Sequence, residues 1–220
     1  MSVPRDYDVN PRRFALGSRS PAARALYVRL AERLRPFARV LDVGCGDGNL
    51  RAESPQVVGL DGSMTMLRAH RAHPAPRVLG EAAALPFRDG SFDAVTAVNM
   101  LYHLPDPLLA IREARRVLRP GGLFVAVTRS RADSPELAEV WRPAATTFDA
   151  EEAPALVGEV FGRVEVESWD APLVTLGDRA TVRDYLVTRF VDPADAEERA
   201  SRVRTPLTLT KRGAYVYGSS

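Results

Sequence analysis

The stretch Val40-Leu41-Asp42-Val43-Gly44-Cys45-Gly46-Asp47-Gly48 is an apolar strand cut short by three glycines that alternate with Cys45 and Asp47. Strand, glycine turn, then helix is a layout that lets backbone approach a nucleotide-like ligand closely, because glycine has no Cβ in the way. A second strand, Val57-Val58-Gly59-Leu60, follows and ends at Asp61. A carboxylate in that place can accept hydrogen bonds from both hydroxyls of a ribose. The two signals at this spacing are far more specific than a glycine loop alone.

Outward from this stretch, the chain alternates strands with helices. Ser20-Pro21 opens a helix with a serine cap and a proline at its first position, and Leu26, Leu30 and Leu34 form its apolar stripe. Pro55 leaves room for about two helical turns after Gly48. Gly62-Ser63 turns into a helix through Met64, Met66 and Leu67. Residues 77–79 read as a third strand and residues 94–98 as a fourth. Asp106-Pro107 caps a helix carrying Leu108, Ile111, Ala114, Val117 and Leu118, which Arg119-Pro120-Gly121-Gly122 should close before a fifth strand over residues 123–128. Further on, Asp149 and Glu152 suggest a capped helix to Phe161. Residues 163–168 alternate like a strand, and residues 178–190 read as a helix with Val182, Tyr185, Leu186 and Phe190 on one side. Residues 205–210 and 214–217 flank Lys211-Arg212-Gly213 and suggest a hairpin. The alternation predicts an α/β fold with a mostly parallel sheet and right-handed crossovers.

Size and composition narrow the class. The 220 residues suit one domain, 1–220, whose cofactor-binding core would be 39–128 and whose acceptor-side elements would be 129–202. Hydrophobic content of 45% and charged content of 26% are ordinary for a globular protein. A net charge of +2 without a dense basic tract gives nucleic-acid binding little support. The single cysteine, Cys45, rules out an internal disulfide or a cysteine metal cluster. Neither a signal peptide nor a membrane-spanning run is evident, so the expected setting is cytoplasmic. Residues 1–20, with Tyr7, Arg12, Arg13 and Phe14, read as either a flexible tail or a lid. His70 and His73 share a helix face but lack a third ligand nearby, so no metal site is expected.

The glycine loop also limits the ligand. Its pattern is G-x-G-x-G, which displaces the third glycine of a dinucleotide fingerprint. Asp47 stands where a pyrophosphate would sit, so the loop favours a cationic or zwitterionic ligand. No Lys-Ser or Lys-Thr follows the glycines, which excludes a nucleoside-triphosphate loop.

Four segments together resemble the class I S-adenosylmethionine-dependent methyltransferases: Val40 to Gly46; Gly59-Leu60-Asp61-Gly62-Ser63; Leu85-Pro86-Phe87 with Ser91-Phe92-Asp93; and Leu118-Arg119-Pro120-Gly121-Gly122. The match is best with the branch acting on quinones and natural products. The resemblance implies a Rossmann-like three-layer sandwich, with a seven-stranded, mostly parallel sheet whose last strand is antiparallel. It also implies S-adenosylmethionine as cofactor and S-adenosylhomocysteine as product; a sulfonium and an α-amino group suit the acidic loop. Carried over by position, Asp42, Gly44, Cys45 and Gly46 would face the methionine part, and Asp61 with Gly62 the ribose. Met64 would flank the adenine and Glu81-Ala82 its edge, although the family usually has Asp where Glu81 stands. Asn99, Met100 and His103 would line the wall beside the methyl group.

The implied reaction is in-line displacement by an oxygen, nitrogen or carbon of a small-molecule acceptor. His103, at its ordinary pKa, is the one plausible general base if the acceptor must lose a proton. Competing readings are an S-adenosylmethionine-binding protein that transfers nothing and, more remotely, a nucleic-acid methyltransferase, which Met100-Leu101-Tyr102 after Asn99 disfavours.

Overall fold

A computed structural model describes residues 21–69 and 76–220 of the chain. Its sheet has strands β1 (Val40–Val43), β2 (Val57–Asp61), β3 (Arg77–Leu79), β4 (Phe92–Val98), β5 (Leu118–Arg129), β6 (Val164–Leu176) and β7 (Leu207–Ser219). They run in the order β3-β2-β1-β4-β5-β7-β6. Strands β1 to β5 pair in parallel, and β7 is antiparallel to both β5 and β6, as the resemblance implied. The order turns back between β1 and β4, the place where a crevice opens at the carboxyl ends of the strands.

The central strands are apolar on both faces because helices cover both. Their period-two alternation sorts the side chains. Leu41, Val43, Val95, Ala97, Phe124 and Ala126 face one way, against Ala110, Ile111, Ala114 and Val117 of α4 (Pro107–Val117) and Ala153 and Val157 of α5 (Ala153–Phe161). Val40, Ala94, Val98, Val125 and Val127 face the other way, against Leu30 and Leu34 of α1 (Pro21–Leu34) and Leu50 of α2 (Asn49–Glu53). A short helix, α3 (Met64–Ala69), follows β2. The amino end of β4 is pinned by Asp93, which is buried. It accepts hydrogen bonds from the Ala38 and Arg39 N–H groups and pairs with the Arg39 and Arg119 guanidiniums.

Several expectations need correction. The proposed terminal hairpin does not exist, because Lys211-Arg212-Gly213 continues β7 without a turn. Gly213 is there for close approach: a Cβ would lie 2.5 Å from the Thr128 carbonyl oxygen and would run into the Trp169 ring. Strand β6 reaches Leu176, well beyond residue 168, since β7 offers it a partner for its whole length. The Pro-Gly-Gly segment does not precede β5; pairing starts at Leu118 opposite Phe92, slips, and resumes at Leu123 opposite Ala94. Helix α2 is a five-residue turn. Asp149 does not cap α5, because its carboxylate is taken by the N–H and hydroxyl of Thr146.

Helix α6 (Arg179–Thr188) is capped by Asp178 and ends before Phe190, which is 57% exposed. Helix α7 (Pro193–Ser201) was not anticipated, although Asp192-Pro193 repeats the Asp-Pro start of α4. Helices α6 and α7 cover the outer arms of β6 and β7 through a separate cluster that includes Val182, Leu186, Ala196, Ala200 and Leu209. The tail or lid expected over residues 1–20 and the helix-face pair His70 and His73 lie outside the described residues. Among the described residues no group of acidic, cysteine or histidine side chains could hold a metal. No helix there is long and apolar enough to cross a membrane.

Candidate functional site

A cavity of about 1380 Å³ opens over the carboxyl ends of β1, β2 and β4 and extends beneath α1, β6 and α6. Pockets for one small ligand usually occupy ~300–1,000 Å³, so this one has room for two. Its two ends are built from opposite charge.

At the glycine-loop end, Gly44 lies at φ +69°, and a Cβ there would fall 2.7 Å from Cβ of Met100. The turn is drawn onto β2 by the Gly44 and Cys45 N–H groups, which donate to the Leu60 carbonyl at 2.8 and 3.0 Å. Asp61 locks it: Oδ2 accepts from the Gly46 N–H at 2.8 Å and Oδ1 from the Ser63 N–H at 2.8 Å. Asp42, only 3% exposed, accepts a hydrogen bond from the Thr96 hydroxyl at 2.8 Å. Burial, opposed by that hydrogen bond and assisted by the Asp61 charge, pushes the Asp42 carboxyl up to about 7. Burial and the charges of Asp42, Asp61 and Asp47 drive the Cys45 thiol far above its ordinary range, so it stays a thiol and is no nucleophile.

The expected site residues are largely brought together. Asp42, Gly44, Cys45, Gly46, Asp61, Gly62, Glu81, Ala82, Asn99, Met100 and His103 all line the cavity. Met64 does not. It is 43% exposed, and Met66, two residues on along α3, turns inward instead. Asn99 adopts φ +51° just past β4, a costly conformation for a non-glycine residue and one common at ligand sites. His103 stands on the wall, but its basicity differs from expectation. The cavity wall and then the Arg129 charge lower its pKa to about 4, which weakens it as a base, although the ring itself stays open to solvent.

The far end was hardly visible in the sequence. Among the aromatic residues of 129–202, Trp169, Tyr185 and Phe190 line the cavity, whereas Phe148 is core and Trp141 packs in the α6–α7 cluster. The Tyr185 hydroxyl meets Lys211 Nζ at 2.9 Å, Arg189 Nη2 at 3.3 Å and the Ser134 hydroxyl at 2.9 Å. Lys211 is also paired with the buried Asp133. Burial would raise the Tyr185 pKa, but Arg189 and Lys211 outweigh it and lower the phenol below its usual range. These groups come from β7, α6 and the segment after β5, too far apart in sequence for spacing to reveal them.

Residues 41–126 match the family model described as a methyltransferase domain. Over 144 residues the chain is 36% identical to a demethylmenaquinone methyltransferase of Mycolicibacterium vanbaalenii, covering 64% of this chain and 62% of that protein. Over 103 residues it is 43% identical to an uncharacterized 37.1 kDa transposon protein of Streptomyces fradiae, covering 41% of this chain and 30% of that one. The chain thus spans less than two thirds of the length of these curated relatives. A solved S-adenosylmethionine-dependent methyltransferase from Thermotoga maritima shares the fold with a TM-score of 0.62 at 19% identity, over 97% of this chain and 96% of that one.

Proposed function

The chain belongs to the class I S-adenosylmethionine-dependent methyltransferase family, and from that membership we propose that it methylates an oxygen, nitrogen or carbon of a small-molecule acceptor. The observation that carries this reading is one continuous cavity, acidic at the glycine loop and aromatic and basic at the other end, with the volume of two ligands.

The residues present fit the cofactor. Asp61 supplies negative charge for a cationic ligand, and Asp42, pushed up to about 7, adds to it as it ionises. A carboxylate offers about four acceptor positions, so Asp61 can brace the loop and still receive ribose hydroxyls. Met66 and Ala82 provide the apolar flank for adenine, the role expected of Met64. When bound, S-adenosylmethionine supplies a methyl group already activated on a sulfonium and leaves as the neutral thioether S-adenosylhomocysteine. The protein's part is then mainly alignment, which can lower a barrier by several kcal/mol. Asn99 and Met100, which line the cavity past β4, would bound the space beside the methyl group. His103, neutral at pH 7, orients the acceptor through a hydrogen bond more effectively than it removes a proton.

The demethylmenaquinone methyltransferase relative and the aromatic lining, Tyr102, Trp169, Tyr185 and Phe190, support a planar metabolite of quinone or natural-product type as acceptor. Calorimetric titration with S-adenosylhomocysteine, with NADH as control, tests the reading. Micromolar binding of the first alone, lost in Asp61→Ala, is the expected result; binding of NADH instead would refute it.

A further inference from the structure

Arginines in this cavity fall into two groups. Arg24 pairs with Glu53, Arg29 with Glu167 and Arg212 with Asp170. Arg129 and Arg189 also line the cavity, yet neither has a carboxylate partner among the described residues. Arg129 is the last residue of β5, and its guanidinium lies over the Tyr102 ring, 5.6 Å from the centroid. Arg189 follows the end of α6 and lies 4.9 Å from the Tyr185 centroid. Among the described residues its guanidinium donates one hydrogen bond, to the Tyr185 hydroxyl, and its Nε is buried without a partner. The nearby acid, Asp133, is occupied: it accepts from Lys211 and from the Arg212 N–H.

Both residues are half-buried, and a guanidinium partly withdrawn from water, with the Arg189 Nε fully so, is costly unless a ligand completes it. Arg129 stacks over Tyr102, and Arg189 lines the same cavity as Tyr102 and His103. We propose that the acceptor is an aromatic acid whose carboxylate is received by Arg129 and Arg189 at the Tyr102–His103 wall. This deepens, and rests on, the methyltransferase reading. A planar guanidinium matches a carboxylate through paired N–H donors, and the Tyr102, Tyr185 and Trp169 rings supply faces for an aromatic frame. The charges are complementary across the cavity: an anionic acceptor at the arginines faces a cationic cofactor held by Asp42 and Asp61. The carboxylate of the cofactor itself fits this end less well. Arg129 ends β5, separated by β4 from the β1 end that carries the glycine loop, a distance of roughly 10 Å across two strand spacings.

The test uses 1-naphthoate and its neutral isostere 1-naphthamide, titrated calorimetrically into the protein with and without saturating S-adenosylhomocysteine. Naphthoate is expected to bind at least ten-fold more tightly than naphthamide. That preference should vanish in Arg129→Gln/Arg189→Gln while S-adenosylhomocysteine binds as before, which also certifies the variant's fold. Arg129→Lys/Arg189→Lys, which keeps the charge but not the planar fork, should retain part of the preference and serves if the glutamine variant does not melt cooperatively. Equal binding of acid and amide, or binding of neither, overturns the proposal. So does loss of S-adenosylhomocysteine affinity in a cooperatively melting variant, which would assign the arginines to the cofactor. Failure of wild type to bind S-adenosylhomocysteine would instead count against the methyltransferase reading, since the acid–amide comparison is also made without it.

Discussion

Asp42 illustrates how a site residue can work against the stability of its own protein. Its pKa rises from 3.8 to about 7 in the folded chain, so between these values the folded state keeps a proton the unfolded chain has lost. Stability therefore falls as pH rises through this window and levels off above pH 7, a loss on the order of 4 kcal/mol at ~1.4 kcal/mol per unit. Asp42→Asn should remove that dependence. The ligand-free variant should melt higher than wild type at pH 8, with the gap closing toward pH 4; an equal or lower melting temperature at pH 8 would contradict the burial argument. Wild-type affinity for S-adenosylhomocysteine, whose amino group is cationic, should increase from pH 6 to 8 as Asp42 ionises, and calorimetry at the two pH values reads this directly. Gly44 poses a steric case. Gly44→Ala combines φ +69° with a contact 2.7 Å from Met100 Cβ. A stability loss of about 1–2 kcal/mol and at least ten-fold weaker S-adenosylhomocysteine binding are expected, and normal binding would show that the loop tolerates a Cβ.

Strand β7 shows why turn composition can mislead. Lys211-Arg212-Gly213 has the polarity and glycine of a turn, yet β7 is sandwiched between β5 and β6 and its backbone is hydrogen-bonded on both sides. The glycine is set by tertiary crowding from Trp169 and Thr128, which local sequence cannot report. Gly213→Val should therefore cost about 3 kcal/mol or more through overpacking, seen as a lower denaturant midpoint. Near-wild-type stability would argue that the segment turns after all. The Asp-Pro and Asp-x-x-Thr signals behaved differently. Asp106, Asp178 and Asp192 each accept a hydrogen bond from their helix's first turn, because capping involves only neighbours in sequence.

Across the molecule, the hydrophobic interior is divided. The sheet core and the cluster under α6 and α7 are separate groups of buried side chains, the first adjoining the glycine loop and the second the basic, aromatic end of the cavity. Separate cores tend to open separately. Leu209→Ala, which empties a fully buried position in the outer cluster, should cost about 2–5 kcal/mol. Amide hydrogen exchange should then quicken in α6 and α7 far more than in β1 and β4, and an equal acceleration everywhere would show one cooperative interior.

The glycine loop, Asp61, the parallel core and the expectation of a nucleoside-like cationic ligand were all legible in one dimension. Each depends on residues close in sequence, where strand length, glycine spacing and an acid at a strand end carry the information. Met66 in place of Met64, the continuous β7, the depressed basicity of His103 and the Arg129–Arg189–Tyr185 end emerged only with the tertiary structure. Side-chain direction on a short helix depends on what the helix packs against. A pKa depends on burial and on charges brought in from other strands. The basic, aromatic end of the cavity joins residues 102, 129, 133, 185, 189 and 211, which become neighbours only when β5, β7 and α6 close around it.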